Sequence, residues 1–172
     1  APGGTGLLRY DARGNVVFTQ RTMDGWDFPM WLGYDAGGRL RHVTYPDGDT
    51  LGSATNPIRY DAVGRVVSIP GFVTSASYDA AGRLTGHNNS NGTSSTYNYS
   101  ADRGWLSGIQ TTRGATTVQN LGYGRDAKGR ITQITSPFAG EGWSTLVYDD
   151  LDRLTSASSS TSAVYNQSWS YD

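Results

Sequence analysis

The sequence predicts an all-β fold, a long curved antiparallel sheet of tandem hairpins, and three observations carry that prediction. The first is a motif restated from end to end: an aromatic residue, an acid, two small or variable residues, glycine, arginine and an aliphatic. It stands complete at Tyr78-Asp79-Ala80-Ala81-Gly82-Arg83-Leu84. The second is an alternation of period two in the residues leading into each aromatic. The third is the scarcity of charged helix formers: Glu141 is the sole Glu and Lys128 the sole Lys, against 23 Gly and 11 Tyr.

Close copies of the motif begin at Tyr10 (with Asp11, Gly14 and Asn15 in place of Arg), at Tyr34 (Asp35, Gly38, Arg39) and at Tyr60 (Asp61, Gly64, Arg65). Looser copies begin at Tyr99, at Arg125 (Asp126, Gly129, Arg130) and at Tyr148 (Asp149, Arg153), and Tyr171-Asp172 opens another. Successive starts lie 18 to 26 residues apart. A recurring period of that size signals an array of supersecondary units, and the expectation is one array of about seven hairpins plus a truncated one over residues 1–172. The acid suits the first position of a type I turn, where its carboxylate accepts a backbone N–H two residues on. The glycine three residues later supplies the positive φ of a left-handed bulge residue. In the Tyr148 copy Asp152 takes that place, and Asp tolerates it.

Each strand entering a corner carries an apolar or aromatic residue two positions before the aromatic: Leu8, Leu32, Ile58, Ala76, Tyr97, Tyr123, Leu146 and Trp169. The residues between are mostly polar or glycine, which predicts strands with one buried face. On that face the Tyr of each hairpin is expected to stack on the equivalent Tyr, or an aliphatic, of its neighbour. The outgoing strands place Leu40 and Val43, Val66 and Ile69, Leu106 and Ile109, and Ile131 and Ile134 three apart. That spacing requires either a bulge or partial cover on both faces.

Taken in order, residues 1–6 read as a flexible lead-in. Residues 19–28 and 45–57 read as long, turn-rich connections, the second holding the tight turn Pro46-Asp47-Gly48. Residues 88–95 and 156–162 read as polar, mobile loops, and the variable connections are expected along one edge of the sheet. A start without Met and a stop two residues into a repeat predict a piece of a longer polypeptide.

The repeated Y-D-x-x-G-R-[LVI] resembles the YD repeat of the Rhs family of bacterial polymorphic toxins, with relatives in the C components of insecticidal ABC toxin complexes and in animal teneurins. The resemblance covers the chain from Tyr10 to Asp172. Three copies depart from it: Tyr99 to Gly104 carries an extra residue, Arg125 replaces a Tyr, and Asp152 replaces a Gly. The resemblance implies hairpins joined side by side into a sheet that spirals into a shell around a C-terminal toxin. It implies a secreted or cell-surface protein whose partners are the rest of the parent shell and its enclosed toxin domain. The family's Asp-Pro-x-Gly-Leu-type autoproteolytic segment does not occur here, so protease activity is not carried over.

Seven hairpins give about fourteen strands, roughly 65–70 Å of sheet, and open sheets of that width curl. Terminal strands with unpaired backbone groups predict end-to-end self-association. Net charge is −1, with no basic stripe for nucleic acid and no apolar run for membrane insertion. Cysteine is absent, so disulfides and thiol chemistry drop out.

No cofactor, metal or catalytic constellation is expected, and the chain is read as a structural protein and not an enzyme. His42 and His87 are distant in sequence and read as solvated strand residues; a zinc site would lack ligands. Asp47-Gly48-Asp49 and Asp149-Asp150-Leu151-Asp152 lack the spacing of a calcium loop, and turn chemistry accounts for them. Gly3-Gly4-Thr5-Gly6 lacks the Lys and helix of a phosphate cradle, and no Gly-x-Ser-x-Gly elbow occurs. The carboxylates recur at turns, which argues against a glycosidase pair. Trp26, Trp31, Trp105, Trp143 and Trp169 read as packing residues. Sugar-stacking platforms are the competing account, and with them a glycan- or receptor-binding module is the alternative function.

Overall fold

Residues with positive φ punctuate the chain, and strands fill the intervals between them. The computed structural model describes residues 5–172, so the phosphate-cradle reading at Gly3 and Gly4 and most of the lead-in lie outside the described residues. In chain order the strands are β1 (Thr5–Tyr10), β2 (Val16–Met23), β3 (Trp26–Tyr34), β4 (Leu40–Thr44), β5 (Thr50–Leu51), β6 (Arg59–Tyr60), β7 (Val66–Ser68) and β8 (Val73–Tyr78). There follow β9 (Leu84–Asn89), β10 (Thr93–Tyr99), β11 (Leu106–Arg113), β12 (Thr116–Arg125), β13 (Ile131–Thr135), β14 (Trp143–Tyr148), β15 (Leu154–Ser159) and β16 (Gln167–Ser168). A 3-10 turn covers Ala163–Tyr165. The fold is all-β and antiparallel, as predicted. Neighbours follow sequence order in a sheet of β1 to β5, a pair of β6 and β7, and a sheet of β8 to β16. By packing the chain forms two compact units, one of residues up to 77 with 88–91, the other of 78–87 with 92–172.

A bulge recurs just past the corners that follow Tyr10, Tyr34, Tyr60, Tyr99, Arg125 and Tyr148, and it explains the three-residue spacing of the outgoing strands. In the first unit Tyr34 faces Leu40 but Gly33 faces His42, so Arg41 is the extra residue. Tyr10 and Arg9 face Val16 and Phe18, and Tyr60 and Arg59 face Val66 and Ser68. The second unit repeats the step at Tyr99 and Asn98, facing Leu106 and Gly108, and at Tyr148 and Val147, facing Leu154 and Ser156. One inserted residue reverses the alternation, so Leu40 and Val43 both lie on the face of Tyr34 and Leu32. Of the two accounts the spacing allowed, the bulge is the one realised.

Several expectations about connections are corrected. Thr5 and Gly6 belong to β1 and are not a lead-in. Residues 19–28 form no long connection. β2 and β3 run through them to a two-residue turn at Asp24 (φ 51°) and Gly25 (φ 80°), the type I′ geometry that matches strand twist. Residues 88–95 belong to β9, β10 and the short turn between them, and residues 156–159 belong to β15, so of the two polar stretches only residues 160–162 form a loop. These strands are Ser-, Thr- and Asn-rich and mostly half-buried, with Ser95 and Ala157 buried within them. The turn at Pro46-Asp47-Gly48 forms as expected, with Gly48 N–H on Tyr45 O at 3.0 Å and Asp49 N–H on the Asp47 carboxylate at 3.0 Å.

The predicted buried face is present as a face, but it is only half covered. Among the described residues buried apolar side chains are few, Phe18, Val43, Ile58 and Ala157, and no large side chain is fully enclosed. The accessible surface is 11169 Å² for 18.5 kDa, against about 8,200 Å² for a globular monomer of that mass. Hydrophobic burial therefore carries less of this fold than usual, and lateral polar and cation–ring contacts between hairpins carry more.

Candidate functional site

Among the described residues the recurring feature with chemistry is the hairpin corner. Each corner begins as a local event. The backbone N–H of the glycine, or of Asp152, donates to the carbonyl of the corner acid: Gly14 to Asp11, Gly38 to Asp35, Gly64 to Asp61, Gly82 to Asp79, Gly129 to Asp126 and Asp152 to Asp149, at 3.0–3.1 Å. The glycines sit at φ 76–90° and Asp152 at 61°. The acid's carboxylate fixes the rest. In Asp61, Oδ1 accepts the N–H groups of Val63 at 3.0 Å and Arg65 at 2.9 Å, and Oδ2 accepts Arg65 Nε at 2.6 Å. The same Nε contact joins Arg39 to Asp35, Arg83 to Asp79, Arg130 to Asp126 and Arg153 to Asp149, at 2.6–2.7 Å.

These bonds lower the carboxyl pKa values. For Asp35, Asp61, Asp79 and Asp149 the first cause is the backbone N–H of the following Arg, aided by its side chain and opposed by burial. For Asp11 the Asn15 side-chain amide leads. For Asp126 burial pulls upward most strongly, yet the Arg130 side chain and backbone together hold the group low. Asp152 is lowered first by Lys128, whose Nζ lies 3.0 Å away, and it also holds Arg130 Nη1 at 2.6 Å.

The corners are then wired to one another. In the first unit the Arg39 guanidinium lies 5.0 Å over the Tyr60 ring while the Tyr60 hydroxyl donates to Leu40 O at 2.8 Å. Burial raises the Tyr60 pKa, which keeps that proton in place. In the second unit Arg83 covers Tyr99, Arg130 covers Tyr148 and Arg153 covers Tyr171, at 4.5–5.0 Å. Those hydroxyls donate to Leu84 O, Ile131 O and Leu154 O at 2.7–2.9 Å. Thus the arginine serves its own aspartate and the next tyrosine at once, and the next hydroxyl returns to the residue just after that arginine. At these corners a guanidinium covers the tyrosine ring, a contact beyond the expected stacking of Tyr on Tyr or aliphatic.

Asn15 breaks the first circuit. Its amide reaches Asp11 Oδ2 at 2.9 Å, and Tyr34 still donates to Val16 O at 3.0 Å, but Asn is too short to cover the Tyr34 ring. Asn15→Arg is therefore expected to stabilise the chain by about 0.5–1 kcal/mol, the worth of an exposed cation–ring contact. Urea unfolding checks it, and Asn15→Gln, which is longer but uncharged, should not reproduce the gain.

The copy starting at Tyr99 inverts the circuit. Ser100 stands for the acid: its N–H donates to Trp105 O at 2.8 Å, its Oγ accepts Trp105 N–H at 3.1 Å, and Gly104 (φ 67°) supplies the left-handed residue. Trp105 thereby occupies the arginine position. Arg125 occupies the next tyrosine position and donates from Nε to Leu106 O at 3.3 Å. Cation and ring have changed places, which sequence reading recorded only as two separate departures.

Other side chains depart from their expected settings. His42 and His87 are half-buried, not solvated. The His42 ring fills the space where a Cβ on Gly33 would stand, and His87 stacks on Tyr97 with centroids 5.8 Å apart. Of the tryptophans, Trp31 packs on Phe18 at 5.4 Å and Trp105 packs against Gly129, whereas Trp26 is 74% exposed. Small-against-large pairing across the bulge, as at Gly33 and His42 or Asn98 and Gly108, was present in the sequence but required the register to be seen.

Residues 60–93 match the family model of the RHS repeat. No curated protein matches the chain. Among solved structures, a TcdB2–TccC3–Cdc42 crystal structure is similar with a TM-score of 0.79 and 20% identity, over 92% of this chain and 9% of the other. The Photorhabdus luminescens Tc holotoxin pore is similar with a TM-score of 0.78 and 20% identity, over 92% and 9%. A TcdB2–TccC3 crystal structure gives 0.77 and 21%, over 90% and 9%. This likeness shows the fold, and the chain spans about a tenth of the length of the chains it matches.

Proposed function

We propose that this chain, which carries the RHS repeat, is a stretch of wall in a larger secreted or cell-surface toxin shell, with no enzymatic activity of its own. The observation that carries the reading is the corner circuit. It joins hairpin to hairpin through groups that recur at the corners of Arg39, Arg83, Arg130 and Arg153, so further hairpins can add by the same bonds. Two lines support it. The similar solved structures are toxin complexes, each far longer than this chain. The half-covered faces and large exposed surface suit a sheet whose stability is shared with more sheet on either side. Its role on this reading is to enclose and protect a C-terminal toxic polypeptide.

Limited proteolysis of the full parent polypeptide tests the role. The enclosed segment should resist protease while the wall is intact and become cleavable when Asp79 and Asp149 are both changed to Ala. Equal digestion before and after the change counts against enclosure. A second reading, recognition of glycans or a receptor, is favoured by one observation: Trp26 stands 74% exposed at the tip of the β2–β3 hairpin. Glycan-array binding lost in Trp26→Ala would put this reading ahead.

A further inference from the structure

The exchange of cation and ring between β11 and β12 leaves a cavity of about 230 Å³, lined by Ser100, Asp102, Trp105, Leu106, Tyr123 and Arg125. Its origin is steric. At the equivalent corners a tyrosine ring stands on the incoming strand and sends its hydroxyl to the preceding hairpin, as Tyr148 does to Ile131 O. Arg125 reaches the equivalent carbonyl, Leu106 O, with a slimmer side chain, and the space of the ring is left open.

Among the described residues the guanidinium of this cavity has no ion-pair partner, although the Asp102 carboxylate shares the lining. Arg39, Arg65, Arg83, Arg130 and Arg153 each have an aspartate oxygen at 2.6–2.7 Å. Arg125 donates to two backbone carbonyls, Leu106 O and, at 2.7 Å, Gly129 O, and among the described residues no carboxylate forms an ion pair with it. Arg125 is half-buried, and a guanidinium in that setting favours an anion more than an exposed one does. Ser100 Oγ accepts Trp105 N–H, which leaves its own proton to donate.

We propose that this cavity binds a small aromatic carboxylate, its ring in the space a tyrosine fills at other corners and its carboxylate on Arg125. Trp105 and Tyr123 supply aromatic walls, and the Ser100 hydroxyl supplies a second donor. The Asp102 carboxylate also lines the cavity and opposes the anion, so affinity is modest. The site is independent of the wall reading, because it needs only this corner.

Benzoate is the probe, titrated into the ¹⁵N-labelled full chain while the Trp105 indole N–H is followed, with its signal assigned from Trp105→Phe. A saturable shift is expected, with a dissociation constant on the order of 1 mM. Arg125→Tyr, which installs the residue the repeat uses elsewhere, should weaken binding about tenfold or more and leave the chain folded. Arg125→Gln should weaken it while keeping the cavity open, and Asp102→Asn should tighten it. Absence of a saturable shift, unchanged binding in Arg125→Tyr, or equal binding of uncharged benzamide would each overturn the proposal.

Discussion

Replacing Gly129 with alanine is expected to destabilise the chain by about 2–4 kcal/mol, against about 1–2 kcal/mol for the same change at Gly64. Both glycines sit at φ 90° in equivalent corners, so the backbone strain of an L-residue is common to the two. They differ in what the added methyl meets. At Gly64 nothing lies within 4 Å, whereas at Gly129 the new Cβ falls 2.9 Å from Trp105 Cζ2 and 3.2 Å from Cε2. The indole cannot retreat freely, because the Arg103 guanidinium lies 5.2 Å over the ring, and the Trp105 backbone N–H, bonded to Ser100 Oγ, fixes the point from which the side chain springs. Urea unfolding of both variants gives the comparison. Equal losses would show that the tryptophan yields without cost and that only the turn conformation matters.

Acid should unfold the chain over a narrow range. The carboxyls of Asp11, Asp35, Asp61, Asp79, Asp126, Asp149 and Asp152 are all held below the ordinary value of 3.8 in the folded state. A group depressed on folding stabilises fully above its unfolded pKa, and that contribution is lost as pH falls through the folded value. Thermal midpoints should therefore hold steady from neutral pH down to about 5 and fall steeply below about 4. The loss is amplified because protonating one aspartate also loosens the arginine that covers the next tyrosine. Asp79→Asn should have a lower midpoint at neutral pH and a shallower decline in acid, since its amide has already given up the charge. A midpoint unchanged down to pH 3 would refute the carboxylate's role as the hub of the corner.

The corners were legible because their chemistry is local. Asp79 and Gly82 are three residues apart, and the turn they specify needs no tertiary partner. The bulge was legible as one of two accounts of the Leu40–Val43 spacing. The two-residue turn at Asp24-Gly25 was missed although its dipeptide is a strong hairpin signal, because the long β2 and β3 carry no motif at that end. The polar composition of residues 88–95 and 156–159 reads as loop, yet these residues lie mostly in strands. Composition assumes that strands need an apolar face, and it fails in a sheet whose faces are only half covered.

From the sequence alone follow the all-β class and the positions of the repeated Asp–Gly corners. These depend on contacts within five residues and on the intrinsic preferences of Asp, Gly and Tyr. Only the tertiary structure decided that Arg39 lies over Tyr60 and that Tyr60 returns its proton to Leu40, or that Trp105 and Arg125 have traded places around an open cavity. Those contacts join residues about twenty positions apart, and a bulge of one residue sets which side chains meet. Local propensity carries no information about that register; the packing of one hairpin against the next fixes it.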